Sequence, residues 1–547
     1  MLTFVLASNL VVLSQITVVE AILKPLSIAP SQLWDGNDGR WSTFQIQVGT
    51  PGQPVRLLPG TSASACSTTW VVIPQGCAQN PTLIDCEDDR GYYFTSNTSS
   101  SWSTQRLANG GLFQLSTYEE SMLGLGGNAY YGFDVLGLGP PRSGLPSVSS
   151  TLIAGLASND FWIGSLGLSP LPFNFTDLND PIPSMLSTLR NQSLIPSCSW
   201  AYTAGASYKE PPVFGSLTLG GFDTRKFVPN HDDLTFSFGS DISRDLLVGL
   251  TAITYDTTGS SPLLAQKIDI FIDSMVSELW LPLSACEAFA SAFKLVWNDT
   301  IQYYLVDENV HDALLAQNPV FTFSLAQSGA EDANSTASIR LPYSAFDLNL
   351  TQPMFNTPTR YFPLKRAQNA TQHTLGRTFL QEAYVIADYE RGNFSVRQAA
   401  FSATSVAQDL VAILSPIDES TRLAEKDSHL APGVLAGIAV AAVFVVSLAI
   451  LGRLWLAKRQ SERSSRSRVC GEESGNKIPV EMPQDHAVVG ATEADGDAAV
   501  YELDRDQAIK PELQTGAGHA GRHELEQQRH VNEIDGTEGL AVELEAV

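Results

Sequence analysis

The chain has 547 residues, 44% of them hydrophobic and only 17% charged, with a formal net charge of −25 from 58 acidic and 33 basic residues. A length of this order divides into about two to four units, and the average composition is that of a globular protein with a sizeable core. The acidic balance excludes nucleic acid as a partner, because phosphate recognition needs Lys and Arg clustered on a folded face.

In chain order, residues 1–21 form an apolar stretch ending in a small residue, which predicts a signal peptide cut after Ala21. Residues 22–40 follow as an N-terminal segment. Asn-x-Ser/Thr sequons stand at Asn97, Asn174, Asn191, Asn298, Asn334, Asn349, Asn369 and Asn393. All lie between the two apolar ends of the chain, which predicts a glycoprotein with its N-terminal part outside the cytosol. In an oxidising compartment Cys77 and Cys86 close a short loop as a disulfide, and the pairing of Cys66, Cys198 and Cys286 stays open.

Residues 41–405 read as an all-β ectodomain in two lobes, about 41–225 and 226–405. Short runs rich in Val, Ile, Phe, Tyr and Thr are broken at close intervals by Gly, Pro, Asn and Asp. Trp41–Val48 alternates as a strand, Gly49-Thr50-Pro51-Gly52 turns the chain, and Pro54–Leu58 returns. Helical spacing is confined to Pro183–Asn191 and Ser284–Val296. An internal similarity supports the two lobes. Leu57–Ser64, with Trp70 following, compares with Phe271–Ser277, with Trp280 following; Ser165-Leu166-Gly167-Leu168 compares with Thr374-Leu375-Gly376-Arg377.

After a linker, 406–429, the segment Leu430–Gly452 carries no charge over 23 residues. That predicts one transmembrane helix, since such a run spans a hydrocarbon core about 30 Å thick. Arg453, Lys458, Arg459, Arg463, Arg466 and Arg468 follow it and mark the cytosolic side, so the orientation is single-pass type I. Residues 453–547 read as a disordered cytosolic tail: beyond Val469 eighteen acidic residues face five basic ones, with too little apolar surface to offset chain entropy. Units such as Tyr501-Glu502-Leu503-Asp504 make it a candidate ligand for a cytosolic adaptor.

Three stretches carry a family resemblance. Phe44–Gln53, Phe214–Asp223 and Leu375–Tyr389, in that order and spacing, resemble the opening hairpin, the first-lobe closing turn and a late second-lobe segment of the pepsin-like aspartic proteases. The resemblance implies a bilobed β fold with a cleft between the lobes. It also implies hydrolysis by two carboxylates that share a proton and hold a water, with no metal or cofactor. Asp273, in Ile272-Asp273-Ser274, matches the second-lobe acid, although Met275 stands where the family has Gly. The first-lobe position falls on Gly60, in Leu58-Pro59-Gly60-Thr61-Ser62, and the nearest acids, Asp38 and Asp85, lie outside that turn. The stretch Tyr118–Asp134 occupies the place of the family's cleft-covering hairpin without matching its pattern. The expectation is therefore a catalytically impaired pseudoenzyme, with Asp273 the lone candidate catalytic residue, that binds a peptide or glycan at the cell surface or an endomembrane. The alternatives are a membrane-anchored aspartic endopeptidase and a structural surface glycoprotein.

Overall fold

The structure is a computed structural model that describes residues 23–62, 67–115, 117–175, 180–229, 234–256, 262–329, 336–401, 407–419 and 432–466, the last with side chains only at 443–460. The predicted signal peptide, Cys66, Asn334 and the tail beyond 466 lie outside the described residues. The chain forms two units, 1–442 and 443–547.

The first unit is predominantly β with a few short helices. An eight-stranded sheet containing Trp41–Val48 and Gln53–Gly60 builds one lobe, and a seven-stranded sheet containing Leu247–Tyr255 and Ile268–Ile272 builds the other. A six-stranded sheet draws Leu26–Ile28, Ser199–Ala206 and Val213–Leu219 together with Ala383–Asp388 and Asn393–Gln398, joining early and late chain. The predicted hairpin is present, with Phe44 opposite Leu57 and Val48 opposite Gln53. Its inward residues Phe44, Ile46, Val48, Val55 and Leu57 are at most 1% exposed, as alternation over one buried face requires.

The internal similarity is a structural repeat. Leu58 and Gly60 pair in parallel with Ser165 and Gly167, and Phe271 and Ile272 pair in parallel with Thr374 and Leu375. Trp70 and Trp280 lie in the strands that follow, Thr69–Val72 and Leu279–Pro282. Each lobe thus brings a strand that ends in a turn beside a second strand reached much later in the chain. The folded body also extends beyond 41–405: Leu26–Ile28 and Pro30–Asp35 are strands, and Leu410–Ala412 pairs with Gly221–Asp223.

Two helix expectations need trimming. The first helix is Met185–Asn191, capped by the Ser184 hydroxyl on the Ser187 N–H at 3.2 Å. The second, Leu283–Phe293, ends where Lys294 turns left-handed at φ 53°, and Val296 begins a strand instead. Glu308–Gln317 is a further helix, with Asp307 capping Asn309 at 3.0 Å. Pro432–Arg466 is a single helix that contains most of the predicted spanning run. Among the described residues, no helix is long and apolar enough to cross a membrane.

Cys77 and Cys86 are disulfide-bonded, while Cys198 and Cys286 are free thiols. Next to that loop, the Arg90 guanidinium is fully buried and donates to four carbonyls: Gly76 and Trp162 at 3.0 Å, Ser158 at 2.8 Å and Phe161 at 3.1 Å. It also lies 4.8 Å from the Trp162 ring centroid. Burial pulls its pKa down to about 10, so it stays charged at neutral pH. Arg90→Ala strands these acceptors and should cost about 3–5 kcal/mol in chemical denaturation, with little rescue by Lys, which lacks the planar fork.

Candidate active site

Where the two turns meet, the lobes clasp each other. The Thr61 N–H donates to Ser274 Oγ and the Ser274 N–H donates to Thr61 Oγ1, both at 2.9 Å. The Ser274 hydroxyl donates onward to the Pro59 carbonyl at 2.7 Å. Only a hydroxyl can accept one bond and donate another in so small a space, which explains Thr and Ser here. The clasp sets Thr61 against Ser274, so the preceding residues, Gly60 and Asp273, stand as counterparts. The first lobe's own turn therefore contributes no carboxylate, as its sequence implies.

Asp273 is 0% exposed. Its Oδ1 accepts the Met275 N–H at 2.8 Å, a turn-forming role. Its Oδ2 is buried without a hydrogen-bond donor. Met275 packs in the apolar cluster around Trp70 and Phe161, where it takes the Ser165 hydroxyl on its sulfur at 3.4 Å.

One expectation is corrected: Asp273 does not stand alone. Glu119, also 0% exposed, brings its carboxyl within hydrogen-bonding range of the Asp273 carboxyl, close to Ser62 and Thr117. Both Glu119 oxygens, like Asp273 Oδ2, are buried without an aligned donor. Two carboxylates cannot donate to each other, so a proton held between them satisfies the arrangement. Burial is the main force raising both pKa values; the Glu119 charge raises that of Asp273 further, and Arg377 opposes it.

Glu119 comes from a hairpin. Leu112–Gln114 pairs with Asn128–Leu138, Leu112 opposite Tyr130 and Gln114 opposite Asn128. The connection forms a wide helical turn, Glu119–Leu123, closed by Gly124 at φ 73°. The turn is fastened to the second lobe. Tyr118 Oη donates to the Thr371 carbonyl at 2.7 Å, its ring meets Phe271 edge-on at 5.2 Å, and Gln372 Nε2 donates to the Met122 carbonyl at 2.6 Å. Comparing Tyr118–Asp134 with the family's tyrosine pattern does not single out Glu119; an acid next to an aromatic at the hairpin's tip is the signal the sequence offers.

Beside the pair lies a cavity of about 490 Å³, walled by Leu123 and Leu125 of the hairpin and by Ser274 and Met275 of the second-lobe turn. Trp41, Trp280, Trp297 and Tyr303 add aromatic faces, and Glu278 and Lys365 add charge. Arg377 braces this wall, with Nη2 2.7 Å from Asp38 and Nη1 donating to the Ser274 and Met275 carbonyls at 2.9 and 3.0 Å. Among the predicted sugar acceptors, Asn97, Asn191, Asn349 and Asn369 are exposed, Asn298 and Asn393 are partly so, and Asn174 keeps its Oδ1 buried.

A bilobed β fold with matched turns meeting beneath a covering hairpin is the architecture of pepsin-like proteins. Residues 43–401, well over half of the chain, match the eukaryotic aspartyl protease family, and the chain belongs to it. It is 25% identical over 411 residues to the probable aspartic-type endopeptidase opsB of Aspergillus fumigatus, covering 72% of this chain and 74% of that protein. It is likewise 25% identical over 379 residues to secreted aspartic protease 8 of Candida albicans, covering 68% and 78% respectively.

The raised carboxyl pair sets the sign of a pH effect. In the range above about 4, where free carboxyls ionise, the folded protein holds a proton that the unfolded chain has released. Stability from this pair is therefore fullest at acid pH and falls as pH rises. We expect the thermal midpoint to drop as pH rises above the range where free carboxyls ionise, and Asp273→Asn to raise it by a few degrees at neutral pH but not in acid, measured by calorimetry.

Proposed function

We propose that this chain is a single-pass membrane glycoprotein whose pepsin-like ectodomain binds a peptide or glycan between its lobes without efficient hydrolysis. The observation that carries this reading is the origin of the second acid. Gly60 occupies the first-lobe position, and the acid facing Asp273 sits on the hairpin that covers the cleft. With both carboxyls fully buried, nothing reaches Asp273 until the turn bearing Glu119 withdraws. Withdrawal admits a ligand but leaves one carboxyl, and losing one partner of an acid–base pair removes orders of magnitude in rate. Aromatic faces interleaved with charged groups in the neighbouring cavity suit an extended chain of either class.

A second reading, aspartic-type endopeptidase, is favoured by one observation: the buried Glu119–Asp273 pair is what a proton-sharing dyad needs. A single assay separates the two. The purified full-length chain should give no pepstatin-sensitive cleavage of denatured protein between about pH 3 and pH 6. Cleavage abolished by both Asp273→Asn and Glu119→Gln would establish the peptidase instead.

The membrane part of the proposal rests on the uncharged run Leu430–Gly452, its basic flank, and the exposed apolar side chains Val443, Phe444, Val445, Val446, Leu448 and Ile450. The N-terminal apolar stretch acts as a signal peptide, and the tail faces the cytosol, where it is available to an adaptor. The protein should resist extraction by alkaline carbonate, and an endoglycosidase should lower its apparent mass; release into the soluble fraction would refute the anchor.

A further inference from the structure

The carboxyl pair also joins the hairpin turn to the second lobe. The turn 117–127 is held to the second lobe by the two bonds at Tyr118 and Gln372, by the Tyr118–Phe271 contact, and by the Glu119–Asp273 contact. The first three do not depend on pH near neutrality. Tyr118 stays protonated, burial pushing its pKa up to about 12, and Gln372 carries no charge. The fourth needs one proton, because without it two buried negative charges face each other.

The charged groups around the pair are engaged elsewhere. Arg377, from the second lobe, is bound to Asp38 and to the Ser274 and Met275 carbonyls. Arg244 lies 5.7 Å from the Tyr118 ring centroid, His373 Nδ1 is 3.3 Å from the Asp269 carbonyl, and Glu120 accepts from Gln114 at 2.8 Å. Ser62 from the first lobe and Thr117 from the hairpin stand close to Glu119 without adding charge. Of these, Arg377 acts on Asp273, and burial outweighs it.

We propose that Glu119 and Asp273 form a proton-operated latch, which keeps the turn 117–127 shut over the cleft in acid and releases it as the surroundings become neutral. Opening releases the one shared proton to solvent and leaves two hydrated carboxylates. The open-to-closed ratio then rises up to tenfold per pH unit above the range where free carboxyls ionise. The latch rests on the cleft being a binding site for its biological use, but its operation needs no ligand.

Hydrogen–deuterium exchange on the full-length chain, without ligand, tests it. Comparing wild type with Glu119→Gln at each pD cancels the chemical exchange rate, and the amide that this substitution introduces can donate to the Asp273 carboxylate at any pH. Peptides covering 117–127 should exchange alike in the two proteins near about pH 4.5 and at least tenfold faster in wild type by about pH 7. Peptides from Ser199–Ala206 should show no such difference. Asp273→Asn should behave as Glu119→Gln does, and it serves alone should the latter fail to fold. A wild-type-to-variant ratio that stays flat with pH overturns the latch, as does an equal rise in the Ser199–Ala206 peptides, which would mean global loosening. Neither result bears on whether the open cleft binds or cleaves a ligand, which the cleavage assay decides.

Discussion

Thr61 and Ser274 hold the two lobes in register through a pair of reciprocal bonds, and everything at the centre of the molecule follows from that register. Because the hydroxyls exchange donors across the interface, the residue before each is carried to the edge of the same small space. One is Asp273 and the other is Gly60, which has nothing to offer. The clasp survives the loss of an acid because it is built from backbone N–H groups and hydroxyls, and none of its bonds uses a carboxylate.

The space is not left empty. A lone Asp273 carboxylate, fully buried, would be strongly disfavoured, and the Glu119 carboxyl on the covering hairpin meets it. Two carboxyls sharing a proton relieve that penalty at the expense of access. Had the second acid come from the first lobe's own turn, both would stay in place while a substrate passed above them. Supplied by the lid, it leaves when the lid does. The same contact that resembles a catalytic pair thus also ties the hairpin to the second lobe.

Around this centre the fold is firmly braced. Arg90 collects four carbonyls from the segments flanking the Cys77–Cys86 loop and from the stretch Ser158–Trp162, part of which walls the cavity. Arg377 does the corresponding work in the second lobe, tying the Asp273 turn to Asp38 and standing 4.9 Å from the Trp41 ring centroid. Both use a planar charged fork where several fixed acceptors converge, so these parts of the cavity wall are held by guanidinium groups.

Much of the architecture was legible because it is local or periodic. Alternation marked Trp41–Val48, the turn residues marked its return strand, and the repeated strand-turn-Trp pattern located both lobes and the Gly60–Asp273 correspondence. The nine-residue separation of Cys77 and Cys86 marked their bond. Helix ends were less legible, since Lys294 ends a helix by adopting a left-handed backbone that no side-chain pattern announces. Glu119 was legible only as an acid beside an aromatic in the hairpin, with nothing to tie it to the second lobe. No periodicity links it to Asp273, and its carboxyl becomes significant only when the hairpin folds back and removes both groups from water. Chain order and residue chemistry by themselves determined the family's fold and the missing first-lobe acid. Tertiary packing alone decided that another acid would take up the space, because which charges are buried together depends on how distant segments meet.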